Sequence, residues 1–290
     1  MTVLTSRNGM LEIGPGAPTV LINDAFVIEE NQPDLLQGVK VGCFDQVLAL
    51  ADLGARLGLD MVDILVNHPA LDEVQVLPAL AVAIHQRIGC PVSLDSRNPA
   101  AIEAALQALH PHKALVNSVS AEPDCLEAIL PLVKKYGAAV VGMPMGREPG
   151  LPKTVEGRLA AARAILAAAE RHGIARDDVV MDAICLASSV EPGSMAVTLE
   201  TLRAFHSELG VATILGIGNA GFGMPDTTII DLAYLIAAVP WGLDAALVDP
   251  RTPGLVALTR AIDFLTARDE FGLRYLKHYR TQQARIKRDA

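Results

Sequence analysis

Residues 91–118 read PVSLDSRNPAAIEAALQALHPHKALVNS, and the order of residue types in this stretch decides the fold. A short β-type run ends at Asp95-Ser96, Asn98-Pro99 opens an Ala- and Leu-rich stretch of helical period, and a second short run ends at Asn117-Ser118. Strand, helix, strand in that order makes a parallel pair, because a strand can lie parallel to its predecessor only after a crossover. The cadence continues in both directions. Strand-like runs fall near 18–23, 61–66, 91–95, 113–117, 138–143, 178–182, 212–217 and 244–248. Helical stretches fill the intervals near 43–57, 70–87, 99–109, 122–136, 154–172, 197–209, 227–238 and 254–268. Eight βα units in one uninterrupted chain predict an α/β fold of the closed (β/α)₈ TIM-barrel kind.

Punctuation supports these cuts. Asn98-Pro99, Glu122-Pro123 and Thr154 have the chemistry of helix starts, and Gly137, Gly173 and Gly210 that of helix stops. Residues 1–290 are expected to form a single domain, with a short N-terminal cover before Pro18 and a C-terminal helix after Phe271. A composition of 51% hydrophobic, 20% charged and 4% aromatic residues supplies one large core. A formal charge of -9 argues against a nucleic-acid surface. The basic stretch from Lys277 to Lys287, with His278, Arg280, Arg285 and the following Arg288, reads as a solvated terminal helix. Cys43, Cys90, Cys125 and Cys185 form no Cys-x-x-Cys pair and read as reduced, buried thiols, which predicts a cytoplasmic protein. The N-terminus lacks a basic region followed by an apolar core, and the apolar run Leu232 to Leu243 is too short to span a bilayer and contains Pro240, so no membrane association is expected.

Four polar residues close strand-like runs: Asp95, Asn117, Asp182 and Asn219. In a (β/α)₈ barrel the C-terminal strand ends face the active site, so these four are expected to converge. Two carboxylates offer only acceptors and two carboxamides offer donors and acceptors, a set suited to a flat heterocycle with mixed edges. A 2-amino-4-oxo pyrimidine, as in a pterin, presents two adjacent N–H donors that one carboxylate accepts together. The competing reading has the same residues capping turns and helix starts. Gly216, Gly218 and Gly221 fit the spacing of a dinucleotide-binding turn, but in the seventh unit rather than the first, so a tight strand-to-helix turn is the favoured reading. The seven histidines form no metal set. His68, just past the second run, is placed to reach the active rim or to serve as a loop residue. Ser118, Ser188 and Ser189 lack a partnered His and Asp in a recognisable order.

Four stretches taken together resemble a known family: Leu94 to Leu106, Val116 to Glu122, Gly150 to Thr154 with Arg158, and Gly216 to Pro225. They look like the pterin-binding methyltransferases, the methyltetrahydrofolate–corrinoid methyltransferases that are relatives of dihydropteroate synthase, over about residues 90–250. The resemblance implies a dihydropteroate synthase-like barrel, usually a homodimer. It also implies movement of a methyl group between N5 of tetrahydrofolate and the cobalt of a corrinoid (cobalamin) held by a partner protein. Tetrahydrofolate or 5-methyltetrahydrofolate is then the substrate, Asp95, Asn117 and Asp182 match the residues that hold the pterin edge, and Asn219 matches the residue that reaches N5. The chemistry explains the amide, since a tertiary amine is a poor leaving group and a hydrogen bond that strengthens as charge changes on N5 stabilises the transition state selectively.

The chain also departs from that pattern. Val20-Leu21-Ile22-Asn23 stands where the family typically has Glu-Arg-Ile-Asn, and Asp63-Ile64-Leu65 where it has Asp-x-Asn. Thr227 and Asp231 replace an expected Arg and Asn. No side chain in the set is an obvious acid for N5, which leaves solvent as the proton source. The loops 143–153 and 185–195, with Arg147, Glu148, Lys153 and Glu191, are expected to cover the site and meet the partner. The alternatives are a pterin-binding scaffold subunit without catalysis, and a dihydropteroate synthase-like condensing enzyme, whose pyrophosphate would need cations that these strand ends do not supply.

Overall fold

The structure is a computed structural model that describes residues 1–30, 32–146 and 150–289, excluding the side chains of Ile286, Arg288 and Asp289. The chain opens with an antiparallel hairpin, β1 (Thr2–Ser6) and β2 (Gly9–Ile13). There follow β3 (Val20–Ile28), α1 (Pro33–Lys40), α2 (Asp45–Leu57), β4 (Met61–Val66), α3 (Glu73–Ile88), β5 (Val92–Asp95), α4 (Pro99–Leu109), β6 (Leu115–Ser120) and α5 (Pro123–Tyr136). The second half continues with β7 (Ala139–Met143), α6 (Val155–Arg171), β8 (Val179–Asp182), α7 (Ser194–Ala204), β9 (Ala212–Gly216), α8 (Thr227–Ala238), β10 (Ala245–Val248), α9 (Leu255–Leu265) and α10 (Leu273–Asp289). Strands β3 to β10 close in sequence order into one barrel, with β10 pairing β3 and every pair parallel. This is the expected (β/α)₈ TIM barrel.

Alternation along each strand divides the core in two. Val20, Ile22, Met61, Leu115, Val141, Val180 and Ile214 fill the barrel interior, while Leu21, Ile64, Leu94, Val116, Val140 and Leu215 pack against the helices. The N-terminal cover is the β1–β2 hairpin, which sends Leu4 and Ile13 into the interior cluster. Its backbone is fixed at the ends where strands begin: the Lys113 N–H donates to Thr5 Oγ1 at 2.7 Å, and the Asn8 N–H to the Gly89 carbonyl at 3.1 Å. It therefore closes the floor and leaves the C-terminal ends of the strands open.

The helix signals act as the sequence implies. Asn98 Oδ1 accepts from the Ala100 and Ala101 N–H groups, and Thr154 Oγ1 from that of Gly157. Gly137 and Gly210 end helical segments with φ of 64° and 63°. Several features differ from the sequence reading. Strand β3 runs to Ile28 rather than stopping at 23, and α1 is an additional short helix, begun by Pro33 and burying Leu35, Leu36 and Val39. The helix expected at 197–209 starts at Ser194 and finishes in a π turn over 205–209. The thiols are less buried than expected: Cys43, in the turn between α1 and α2, is exposed, Cys90 and Cys125 are half-buried, and Cys185 is buried. The basic end is partly docked, with Arg285 Nη2 donating to the Arg56 carbonyl. Among the described residues no helix is long and apolar enough to cross a membrane.

Two β-bulges interrupt the ladder. On β3 the register passes from Asn23 opposite Val62 to Phe26 opposite Ile64, and on β6 from Asn117 opposite Val141 to Val119 opposite Gly142. Bulges re-aim side chains, and these two lie at the C-terminal mouth. The floor plug gives a direct test: Leu4→Ala should lower the unfolding free energy by about 2–4 kcal/mol, the scale of a cavity that cannot collapse. Urea denaturation reads it, and an unchanged midpoint would mean that the hairpin adds nothing to the core.

Candidate active site

The barrel's alternation sends a ring of polar groups into the mouth. Counting from the interior residues Ile22, Met61, Leu115 and Val180 brings Asp24, Asp63, Asn117 and Asp182 inward, and Asp95 is inward because its neighbours Val92 and Leu94 face the helices. Asp95 and Asn117 are partners in the β5–β6 register, so they stand side by side. Asn117 Nδ2 donates to Asp63 Oδ1 at 3.2 Å, joining three strand ends. Asp182 stands on β8, where its Oδ1 accepts the Ile184 N–H at 2.7 Å. Asn219 differs from the other three sequence-derived residues. It lies beyond β9, exposed, in a tight turn over Ile217–Asn219. Its amide folds back over Gly216, where a Cβ would sit 3.1 Å from Asn219 Nδ2.

Burial dominates the electrostatics here. It pushes the Asp24 carboxyl up to about 7, with Asp63 and then Asp249 adding to the effect. Burial and then Asp63 raise Asp95 to about 7. Asp182 reaches about 6 through burial, against the Ile184 N–H and the charge of Arg158. Asp63 is raised by burial too, with the Asn117 hydrogen bond opposing. At Asp249, half-buried just beyond β10, burial works against the charge, but bonds from Arg251 at 2.6 to 3.0 Å outweigh it and hold the carboxyl below the usual range. The mouth without a ligand therefore holds carboxyl groups that ionise late, a common feature of binding and catalytic sites.

The loop after β8 is braced from below. Arg158, buried on α6, donates to the carbonyls of Pro152 at 3.2 Å, Ala183 at 2.6 Å and Ile184 at 3.2 Å, and to Thr198 Oγ1 at 3.2 Å. Ile184 has φ of 64°, a left-handed conformation that costs a β-branched residue about 1–3 kcal/mol. The Arg158 and Asp182 bonds hold it there. Arg158, part of the sequence resemblance, is thus a support for the mouth rather than a residue in it. Lys153 Nζ meets Glu191 Oε2 at 2.8 Å and Ser189 Oγ donates to the Phe222 carbonyl at 2.6 Å, which ties the covering loops together. Arg147 and Glu148 lie outside the described residues.

Other candidates from the sequence have structural work. His68 Nδ1 accepts the Ala70 N–H at 3.1 Å, which makes it a loop residue. The glycine-rich turn after β9 packs on α8: the Gly221 N–H donates to Asp231 Oδ1 at 2.9 Å, and a Cβ on Gly221 would approach the Thr227 Cβ to 2.8 Å. Asn23 faces away from the mouth, with Nδ2 donating to the Leu50 carbonyl at 3.3 Å and Oδ1 accepting the Ala25 N–H at 3.1 Å. Arg97 and Arg251 stand just past the ends of β5 and β10, so the rim holds cations that the four strand-end residues themselves do not supply. Asp24, Asp63 and Asp249 were not assigned a role from sequence, although period-2 counting from Val20 and Ile22 points to Asp24. A cavity of about 820 Å³ lies beside the mouth, lined by residues including Gln32, Gln46, Arg56 and Arg251. The convergent buried polar groups mark the mouth as the better candidate.

A closed parallel barrel with carboxylates and a carboxamide converging at its C-terminal mouth has the architecture common to barrel enzymes. The model of the pterin binding enzymes matches residues 37–249, and the chain belongs to that family. It is 24% identical over 241 residues to the methylcorrinoid:tetrahydrofolate methyltransferase of Eubacterium limosum, covering 81% of this chain and 86% of that one. It is 27% identical over 218 residues to the methionine synthase of Mycobacterium tuberculosis, covering 71% of this chain and 18% of that longer protein. Among solved structures, 7,8-dihydropteroate synthase from Vibrio fischeri superposes with a TM-score of 0.68 at 18% identity, covering 91% of this chain and 98% of that one. A dihydropteroate synthase from Coxiella burnetii in complex with pteroic acid gives 0.67 at 17% identity, covering 92% and 99%. These two likenesses show the fold.

The raised carboxyls have a consequence for stability. Asp95 ionises near 7 in the fold against an ordinary 3.8, so the stability it contributes is fully present below about pH 4 and is lost as pH rises through 7. Asp95→Asn should therefore stabilise the ligand-free protein at pH 8, by on the order of 1–2 kcal/mol, and leave it little changed at pH 4. Thermal unfolding at the two pH values measures this, and equal melting temperatures of variant and wild type at pH 8 would contradict it.

Proposed function

We propose that this protein moves a methyl group between N5 of tetrahydrofolate and the cobalt of a corrinoid carried by a partner protein. The observation that carries the reading is the inward arc of Asp95, Asn117 and Asp182, with Asn117 fixed by Asp63. A pterin's amino and ring N–H groups give a buried carboxylate the donors it lacks, and its carbonyl can accept from a carboxamide. Ligand binding would then favour the ionised carboxyls that burial disfavours. Similarity to the methylcorrinoid:tetrahydrofolate methyltransferase over most of both chains supports methyl transfer as the chemistry. In this reading the Asn219 amide, carried on the turn beyond β9, reaches N5 while the pterin edge is bound, and a homodimer is the expected assembly. A condensing enzyme that expels pyrophosphate is less well supported, because the four strand-end residues supply no cation and one of the two rim arginines, Arg251, is already engaged by Asp249.

Calorimetric titration with 5-methyltetrahydrofolate tests the pterin site. Asp182→Ala should weaken binding by about 2–3 kcal/mol, the scale for losing a charged hydrogen-bonding partner. Unchanged affinity in the folded variant would remove the pterin assignment. Asn219→Ala should separate binding from turnover: single-turnover transfer, followed by the corrinoid absorbance change, should fall about 10²-fold with a smaller change in affinity. Transfer at the wild-type rate would take Asn219 out of the mechanism, and folate binding without any transfer by the wild type would point to a scaffold.

A further inference from the structure

The mouth has two arcs. Going round the barrel in the order β9, β10, β3, β4, β5, β6, β7, β8, the residues read for the pterin edge occupy β5, β6 and β8. Asn219 and Asp249, just beyond β9 and β10, and Asp24, in the β3 bulge one residue past the pairing of Asn23 with the last residue of β10, occupy the opposite arc. A pterin held by its amino-oxo edge on the first arc would extend its far ring, which carries N5, away from that arc and toward the second. The sequence comparison left that nitrogen with an amide and no acid or base. Asp24 lies outside the residues 37–249 that the family model matches.

Asp24 is held in place by its neighbours. It occupies the β3 bulge opposite β4, and Asn23 pins the bulge through the Ala25 N–H and the Leu50 carbonyl of α2. Gly54 of α2 makes room for that anchor, since a Cβ there would lie 2.5 Å from Asn23 Nδ2. The charged groups that act on Asp24 are Asp63 from β4, and Asp249 and Arg251 from the end of β10. Asp249 is kept ionised by Arg251 and Asp63 is bonded to the Asn117 amide, which leaves Asp24 as the member of this set suited to carry a proton near neutrality.

We propose that Asp24 exchanges a proton with N5 of the folate during methyl transfer, while the Asn219 amide orients the same nitrogen. The inference rests on the methyl-transfer reading above. Toward folate, the N5 lone pair forms the new N–CH₃ bond, the cobalt–carbon bond breaks with its electron pair left on cobalt, and the N5 proton passes to the Asp24 carboxylate. In the reverse direction the Asp24 proton passes to N5 as the N–CH₃ bond breaks and the electron pair of Co(I) takes the methyl. The two directions need opposite protonation states of one group, so their rates should vary with pH in opposite senses.

The experiment is single-turnover transfer from 5-methyltetrahydrofolate to cob(I)alamin, and from methylcobalamin to tetrahydrofolate, at saturating folate from pH 5.5 to about 8.5, a window that brackets the value near 7. With wild type, the first rate should fall as pH rises through the midpoint and the second should rise. Asp24→Asn should lose this dependence and fall about 10²-fold or more in both directions, the usual scale for a positioned acid–base group, with calorimetric folate affinity retained. Asp24→Glu, which keeps a carboxyl, should restore the pH dependence and part of the rate. Titration of Asp95 and Asp182 appears in folate affinity and so separates from a rate measured at saturation. An Asp24→Asn variant with the wild-type rate and pH profile overturns the proposal while methyl transfer stands. A wild type that does not bind 5-methyltetrahydrofolate overturns the methyl-transfer reading, and this proposal with it.

Discussion

Closing eight parallel strands into a barrel forces every second side chain inward, and the chemistry of the mouth follows from that constraint. The interior below must be filled by apolar side chains, here Ile22, Met61, Leu115, Val180 and Ile214, with Leu4 and Ile13 of the hairpin sealing the floor. Two residues further up the same inward rows stand Asp24, Asp63, Asn117 and Asp182. Function can be concentrated there because packing needs are met beneath it. The bulges at Asn23/Phe26 and Asn117/Val119 reset the alternation beyond the mouth, so Phe26 and Val119 return to the outer core after the polar residues have been placed.

Concentrating carboxyls in a half-dry ring has an energetic cost that the rest of the structure absorbs. Burial is the largest influence on Asp24, Asp63, Asp95 and Asp182, and each ionises later than an ordinary aspartate. Partial compensation comes from fixed donors: the Asn117 amide on Asp63, the Ile184 N–H on Asp182 and the Arg251 guanidinium on Asp249. Arg158 extends the same principle one shell outward, satisfying the Ala183 and Ile184 carbonyls at a loop whose backbone is strained at Ile184, and the Pro152 carbonyl beside its own helix. A ligand with complementary donors would take over the remaining compensation, so affinity and the low stability of the empty mouth have one physical origin.

The barrel was legible because both of its periods are strong in this chain: short β-type runs closed by polar residues, and Ala- and Leu-rich stretches capped by Asn98 and Thr154 and stopped by Gly137 and Gly210. The position of Asp95, Asn117 and Asp182 at the mouth was legible because the C-terminal ends of all the strands in a parallel barrel gather at one rim. Asp24 was missed because reading stopped at Asn23, the last residue comparable with the family pattern, and because a bulge cannot be seen in hydropathy alone. Helix α1 escaped for a related reason, being eight residues long and carrying too little periodicity to stand out. Arg158 was placed in the motif correctly but its role was not readable, since only the tertiary structure shows its guanidinium turned onto backbone carbonyls.

The departures from the family pattern acquire physical meaning in this structure. Leu21, in place of a charge, belongs to the outer core and faces the helices, so a charge there would need a partner away from the mouth. Leu65 pairs in register with Asp95, and an apolar neighbour at that level fits the burial that delays ionisation of this carboxyl. Asp231 and Thr227 act on Gly221, one by accepting its N–H and the other by filling the space beside it. That turn carries Asn219, so these two residues govern where the amide stands. The first strand, apolar at Val20 and Leu21, thus carries its inward carboxyl at Asp24 within the bulge, and differences on α8 alter the support of the turn more than the lining of the mouth.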